Sequence, residues 1–209
     1  MTRAPVVGVS KSNLKPPFGD FGHMDQSLRG NYLIAGRHLQ DPNFYRAVVL
    51  IVEHNESGSM GFVLNRPTDV EIRKALSEHF SVPEAADPVY FGGPVEPSAL
   101  FLIHDDAGQS EEELPVVPGL FLGANADTFE AIVTTAAEAG THYRVFSGCA
   151  GWGPEQLESE LARGDWYLAP ADPEAIFHGD PYEQWDTLIE RVAPRHPLFK
   201  KSAVDFRWN

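Results

Sequence analysis

The segment Ala47-Val-Val-Leu-Ile-Val52 constrains this chain more than any other. Six consecutive apolar residues, most of them β-branched, favour a strand and leave it no polar face to turn towards water. The run falls far short of the roughly 18 apolar residues of a membrane helix. A strand that is apolar on both faces must be covered on both, so the fold needs layers on either side of a sheet. The chain has the material for this. Its 209 residues, 43% apolar and 22% charged, suit one domain that buries roughly 70% of the surface of the unfolded chain.

Residues 1 to 26 carry Pro5, Pro16, Pro17 and several glycines without periodicity, and read as a loose leader before a single domain over 27–209. Met24 is an alternative start. Lys11 and Lys15 interrupt what would have to be the apolar stretch of a signal peptide. Tyr32 to Ala35 reads as a short strand, and Met60 to Leu64 pairs with the apolar run in a hairpin whose loop of several residues has its tip at Asn55 to Gly58. Thr68 followed by Glu71 has capping-box spacing and predicts a first helix that stops before Pro83.

Strand-like runs follow at Val89–Phe91 and Leu100–Ile103, then an acidic loop, Asp105 to Glu113, and two short apolar pieces, 114–117 and 120–122. The second helix opens with Asp127 as N-cap and ends at Gly140, with Phe129, Ile132, Val133 and Ala136 on one face. Tyr143 to Phe146 reads as a central strand. A third helix follows Gly153-Pro154, with Gln156 at the capping-box position, Trp152 stapled to Leu157 and Gly164 as its stop. A last strand at Trp166–Leu168 precedes two short helices, one after Asp172-Pro173 and one after Asp180-Pro181 that Pro194 closes. Mixed strands and helices without a strict alternation indicate α+β.

The 16 Lys and Arg against 30 Asp and Glu give a net charge of −14, a field that repels phosphate backbones and disfavours direct nucleic-acid binding. The best basic cluster, Arg195 with Lys200 and Lys201, is small and flanked by acids. One cysteine, Cys149, allows no internal disulfide and no multi-thiolate zinc site, which fits a cytosolic location.

No catalytic signature stands out. The eight histidines are scattered without ligand spacing, so no metal is expected. His104-Asp105-Asp106 reads as solvated strand-end polar residues. Cys149 lies too far before a helix start to gain from its dipole, and Glu155 and Glu158 oppose a thiolate, so it reads as a small buried residue. Gly148-Cys-Ala-Gly-Trp-Gly153 resembles a phosphate-binding turn between strand and helix. Its glycine spacing fits no such motif, however, and Pro154 removes a donor; the glycines serve close backbone packing or positive φ. No cofactor is expected.

Four blocks remain: Gly30 to Pro67, with VEHN…GFVLNRP; Phe91 to His104, with FGGP; Phe146 to Leu168, with GCAGWGPEQLE; and the helix holding Trp185. In order and spacing, over roughly residues 28 to 192, they resemble the AlgH/YqgE family of bacterial proteins, which has no established biochemical activity. The resemblance implies an α+β fold with a bifurcated, mostly antiparallel sheet curled into a pseudo-barrel and helices packed outside. It also brings an inherited label, transcriptional regulator, although this chain shows no helix-turn-helix. Val52 stands where many relatives have cysteine, Cys149 where they commonly have tyrosine, and Arg37-His38 replaces an apolar-plus-proline stretch.

These features predict a non-enzymatic binding or regulatory module for a protein partner or small ligand. Its candidate surface comprises His54, Asn55, Asn65, Arg66, Gly92, Gly93, Pro94 and Trp152. The competing reading of the Gly, Pro and Asn corners is that they only fix unusual turns. If they converge on one cleft, Trp152 is the aromatic anchor and Arg66, His54 and Asn55 direct polar groups. The alternative is an enzyme acting on a small cytosolic substrate with His54 or His104 transferring protons.

Overall fold

The computed structural model describes residues 27–77, 87–109, 114–123 and 125–193. The expected leader with Met24, the helix stop at Pro83, the acidic run 111–113, Pro194 and the basic Arg195, Lys200 and Lys201 lie outside these residues. The strands are β1 (Asn31–Ala35), β2 (Val48–Asn55), β3 (Gly58–Val63), β4 (Pro67–Glu71), β5 (Pro88–Phe91), β6 (Val95–His104), β7 (Phe121–Leu122), β8 (Tyr143–Trp152) and β9 (Trp166–Pro170). The helices are α1 (Ile72–Leu76), α2 (Ala126–Ala139), α3 (Gln156–Arg163), α4 (Pro173–His178) and α5 (Gln184–Val192).

One sheet runs in the order β4-β5-β8-β3-β2-β1-β9, with β6 also paired to β8 and β7 to β6. Every pairing is antiparallel except β5 with β8. The sheet bifurcates at β8, which pairs β3 over Ala150–Trp152, β5 at Phe146 and Ser147, and β6 along most of its length. It also curls. Trp152 and Trp166 lie on strands four steps apart, about 19 Å in a flat sheet, yet their rings meet edge to face at 6.1 Å under α3. The curl stops short of closure, because β4 and β9 remain at opposite ends.

As the apolar run requires, Val48 to Val52 have no exposed surface. They lie in a core formed with Leu33, Phe62, Phe146, Leu157, Trp166, Trp185 and Ile189, while Ile72, Leu76, Leu102, Ile132, Val133 and Val145 form a second cluster under α1 and α2. Gly92, Gly93 and Gly148, from the FGGP and SGCAGWG blocks, let two strands cross closely. A Cβ on Gly92 would lie 2.2 Å from the Gly148 carbonyl oxygen, and one on Gly148, at φ 71°, would lie 2.5 Å from that of Gly93.

Local differences from expectation have physical causes. The β2–β3 hairpin is tight: Asn55 pairs with Gly58, and the Asn55 side chain accepts from the Ser57 N–H at 2.8 Å, so only two residues form the turn. Thr68 caps no helix. Its hydroxyl donates to the Val89 carbonyl and accepts from the Val70 N–H, holding 67–71 as a strand on β5 and leaving α1 only five residues. Asn125, not Asp127, caps α2, accepting from the Thr128 N–H. Residues 148–152 continue β8 rather than forming a loop. Helix α3 starts at Gln156, yet the capping-box contact survives: the Gln156 side chain accepts from the Gly153 N–H at 3.0 Å. Likewise α5 begins only at Gln184, after a turn in which Asp180 accepts from the Tyr182 N–H.

Candidate functional site

The eight residues singled out in the sequence fall into three places. His54, Asn55 and Trp152 lie where the β2–β3 hairpin end meets the end of β8, since His54 pairs with Ser59 and Ser59 with Trp152. Asn65 and Arg66 lie beyond the other end of β3, about 20 Å away along the strands. Gly92 and Gly93 are buried at the strand crossing, and Pro94 is exposed beside it.

The first group is occupied by structural duties. His54 Nδ1 accepts from the Leu28 N–H at 3.2 Å, so Nε2 carries the proton and donates to Glu158 on α3 at 2.8 Å. The ring thereby ties the incoming chain, the hairpin and α3 together. Desolvation acts to raise the Glu158 carboxyl, but a backbone hydrogen bond and the His54 contact hold it below its usual value. Trp152 is buried against Phe44 and Trp166. Its indole N–H and that of Trp166 donate to the same oxygen of Glu160, at 2.9 and 2.8 Å, while Gln156 holds the other oxygen. Trp152 presents no free aromatic face as an anchor.

His104 is not solvated, contrary to expectation: it has no exposed surface and stacks on Phe121 across the β6–β7 pair. Asp105 accepts from both the backbone N–H and Nδ1 of His142. Burial, with the charges of Glu96 and Glu53, pushes the Cys149 thiol up to about 11, which removes nucleophilic character at neutral pH. Among the described residues, no three His, Cys, Asp or Glu side chains are placed to hold a metal ion, and no helix is long and apolar enough to cross a membrane.

The second group opens onto a cleft of about 110 Å³ lined by Arg46, Asn65, Arg66, Pro181, Tyr182, Trp185 and Asp186. Asn65 builds its floor. This buried amide accepts from the Val48 N–H and donates to the Arg46 carbonyl, both at 2.9 Å, so it locks the chain as it enters β2. That lock leaves Arg46 at φ 53°, a left-handed conformation costly for a residue with a long side chain. Its guanidinium then lies 4.4 Å from the centroid of the Trp185 ring and pairs with Asp186. Arg37 stands 5.6 Å from the same ring. Arg66 donates to the carbonyls of Tyr45 and Asn65; desolvation and the nearby Arg46 charge lower its pKa, although a guanidinium stays protonated. Trp185 is fixed from below, its N–H donating to the Ala35 carbonyl at 2.9 Å, and Tyr182, 76% exposed, stands at the rim.

Sequence reasoning found Asn65 and Arg66 but missed Arg46, Tyr182 and Asp186 as members of a site. The readable signal was the run of cations alone: Arg37, Arg46 and Arg66 cluster within 30 residues of an otherwise acidic chain. A larger cavity, about 390 Å³, lies between β9, α4 and α5. Its walls are mainly apolar, and its Tyr32 hydroxyl is already bound to the backbone of Asp172.

The fold and the cleft define a class: a mixed α+β protein built on a bifurcated sheet, carrying a small arginine-lined recess. Comparison with known proteins places it further. A family model described as AlgH-like matches residues 32–196. A UPF0301 protein of Myxococcus xanthus is 41% identical over 167 residues, covering 78% of this chain and 90% of its own. One from Xanthomonas oryzae is 38% identical over 170 residues, covering 79% and 89%. The solution structure of the AlgH protein from Pseudomonas aeruginosa superposes with a TM-score of 0.65 at 31% identity, covering 81% of this chain and 91% of that one. A crystal structure of a Corynebacterium diphtheriae protein gives 0.64 at 25%, covering 80% and 87%. The chain belongs to the AlgH-like, UPF0301 family.

Proposed function

We propose that this protein is a non-enzymatic binding or regulatory module of the cytosol, and that its ligand, a small molecule or an exposed group of a protein partner, enters the cleft between Arg46, Arg66 and Trp185. One observation carries the reading. A buried amide and a strained backbone set Arg46 over the Trp185 ring, Arg37 stands over the same ring, and Arg66 lines the same cleft. The net charge of −14 counts against direct contact with DNA or RNA as the regulatory act.

Two-dimensional amide NMR of the full chain, with a panel of charged and uncharged metabolites added, tests this. Binding should move the Trp185 indole and Arg66 side-chain signals selectively, and Arg66→Gln should abolish the response. Shifts confined to the surroundings of His54 and Glu158 would refute the placement. Conversion of an added compound in the same tubes would refute the non-enzymatic reading.

A further inference from the structure

We infer that the cleft takes the oxyanion end of a small molecule, a phosphate or carboxylate group, and that Asp186 holds this position in the empty protein as an internal competitor. The inference rests on the cleft being the ligand site. Of its seven lining residues two are cations and one, Asp186, is an anion, and Arg37 adds a third cation over the same indole. The recess is therefore net positive on a chain whose overall charge is −14, a local inversion that favours anions.

The donors are positioned before any ligand arrives. Arg66 spends two of its five N–H groups on the carbonyls of Tyr45 and Asn65, which fixes the plane of the fork. Arg46 is held over Trp185 by its own left-handed backbone. A volume of about 110 Å³ accommodates the space of three or four waters, enough for one phosphate or carboxylate group with the rest of its molecule outside the recess.

The Arg46–Asp186 pair is the group an incoming anion replaces. Its side chains are 44% and 56% exposed, and exposed ion pairs contribute little to stability. An incoming anion exchanges the single guanidinium of this pair for two, Arg46 and Arg66, which line the same cleft. Occupancy would free Asp186 and the first turn of α5, so ligand binding is reported on the outer face of that helix.

The test titrates inorganic phosphate and, in a separate arm, succinate into the full-length chain, following the Trp185 indole N–H by NMR. Saturable shifts at this signal are expected. Asp186→Asn should tighten binding about fourfold, the effect of removing one charge about 5 Å away at water-like dielectric. Arg46→Asn, which keeps a residue tolerant of the left-handed conformation, should weaken it at least tenfold while leaving the amide spectrum folded. A response to phosphate alone assigns a phosphate ester, and a response to succinate alone assigns a carboxylate. Unchanged affinity in Asp186→Asn would overturn the competitor role. Silence of every variant towards both anions, with uncharged compounds still moving Trp185, would overturn the oxyanion and leave the cleft standing as a ligand site.

Discussion

Replacing Glu160 should destabilise this protein strongly for a change at a half-buried carboxylate. One carboxylate oxygen accepts from the indole N–H groups of Trp152 and Trp166, which are 6% and 3% exposed, and the second accepts from Gln156. In Glu160→Ala both indoles lose their acceptor while remaining buried. Each buried donor left unpaired costs about 1–3 kcal/mol, so the variant should lose about 3–5 kcal/mol, or roughly 10 °C in Tm for a domain of this size. Glu160→Gln keeps one acceptor oxygen, but turns donors towards either the indoles or Gln156; about 1–2 kcal/mol is expected. Urea unfolding followed by tryptophan fluorescence gives the free energies, and the two indole N–H resonances report the local change. A Glu160→Ala protein within about 1 kcal/mol of wild type, with both resonances unmoved, would refute the idea that this carboxylate joins α3 to the curled sheet.

Other expectations follow from local geometry. Gly93→Ala should prevent accumulation of folded protein, because φ is 151° and a Cβ would sit 2.3 Å from the Cys149 backbone, whereas Gly140→Ala, at φ 71° with nothing within 4 Å, should cost only about 1–2 kcal/mol; the yield of soluble folded protein checks the first and a urea midpoint the second. Asn65→Ala removes both ends of the clamp on Arg46 and Val48 and should destabilise by about 2–4 kcal/mol, with the Val48 amide losing protection in hydrogen exchange. The Cys149 thiol, raised from 9.0 to about 11, favours folding in its protonated form. The penalty on the thiolate is absent below pH 9 and grows as pH rises to 11, so stability should fall over that window and Cys149→Ala should flatten that part of the alkaline stability profile.

What could be read from the sequence was whatever depends on neighbours along the chain. The apolar run declared a doubly covered strand, Gly140 and Gly164 marked helix ends, and Asp172 with Pro173 marked a helix start, because each signal acts within one turn or one strand. Thr68 misled because the same hydroxyl serves a helix cap or a strand-to-strand bond, and a carbonyl 21 residues away decided between them. Residues 148–152 read as a loop because close packing was legible in the glycines but its partner was not: Gly148 crosses Gly92 and Gly93, more than 50 residues earlier in the chain. His104 read as solvated because nothing local announces that β7 will lie over it. The cleft was half legible. Asn65 and Arg66 stood in a distinctive string, but Asp186 is 140 residues from Arg46, and no pattern foretells an arginine at positive φ.

The bifurcation at β8 bears on how the chain matures during synthesis. About 100 residues separate Val52 from Trp152, and at translation rates of about 5–20 residues per second the most apolar segment waits roughly 5–20 s for its neighbours' organiser to emerge. Until then β3 and β5 have no common strand to join them, and the sticky Val48–Val52 ribbon is a target for nascent-chain chaperones or for aggregation. Heterologous expression should therefore reward a supply of nascent-chain chaperones and suffer from translational pauses between residues 53 and 152, and a stalled chain released before residue 143 should be cleared by proteases rather than fold.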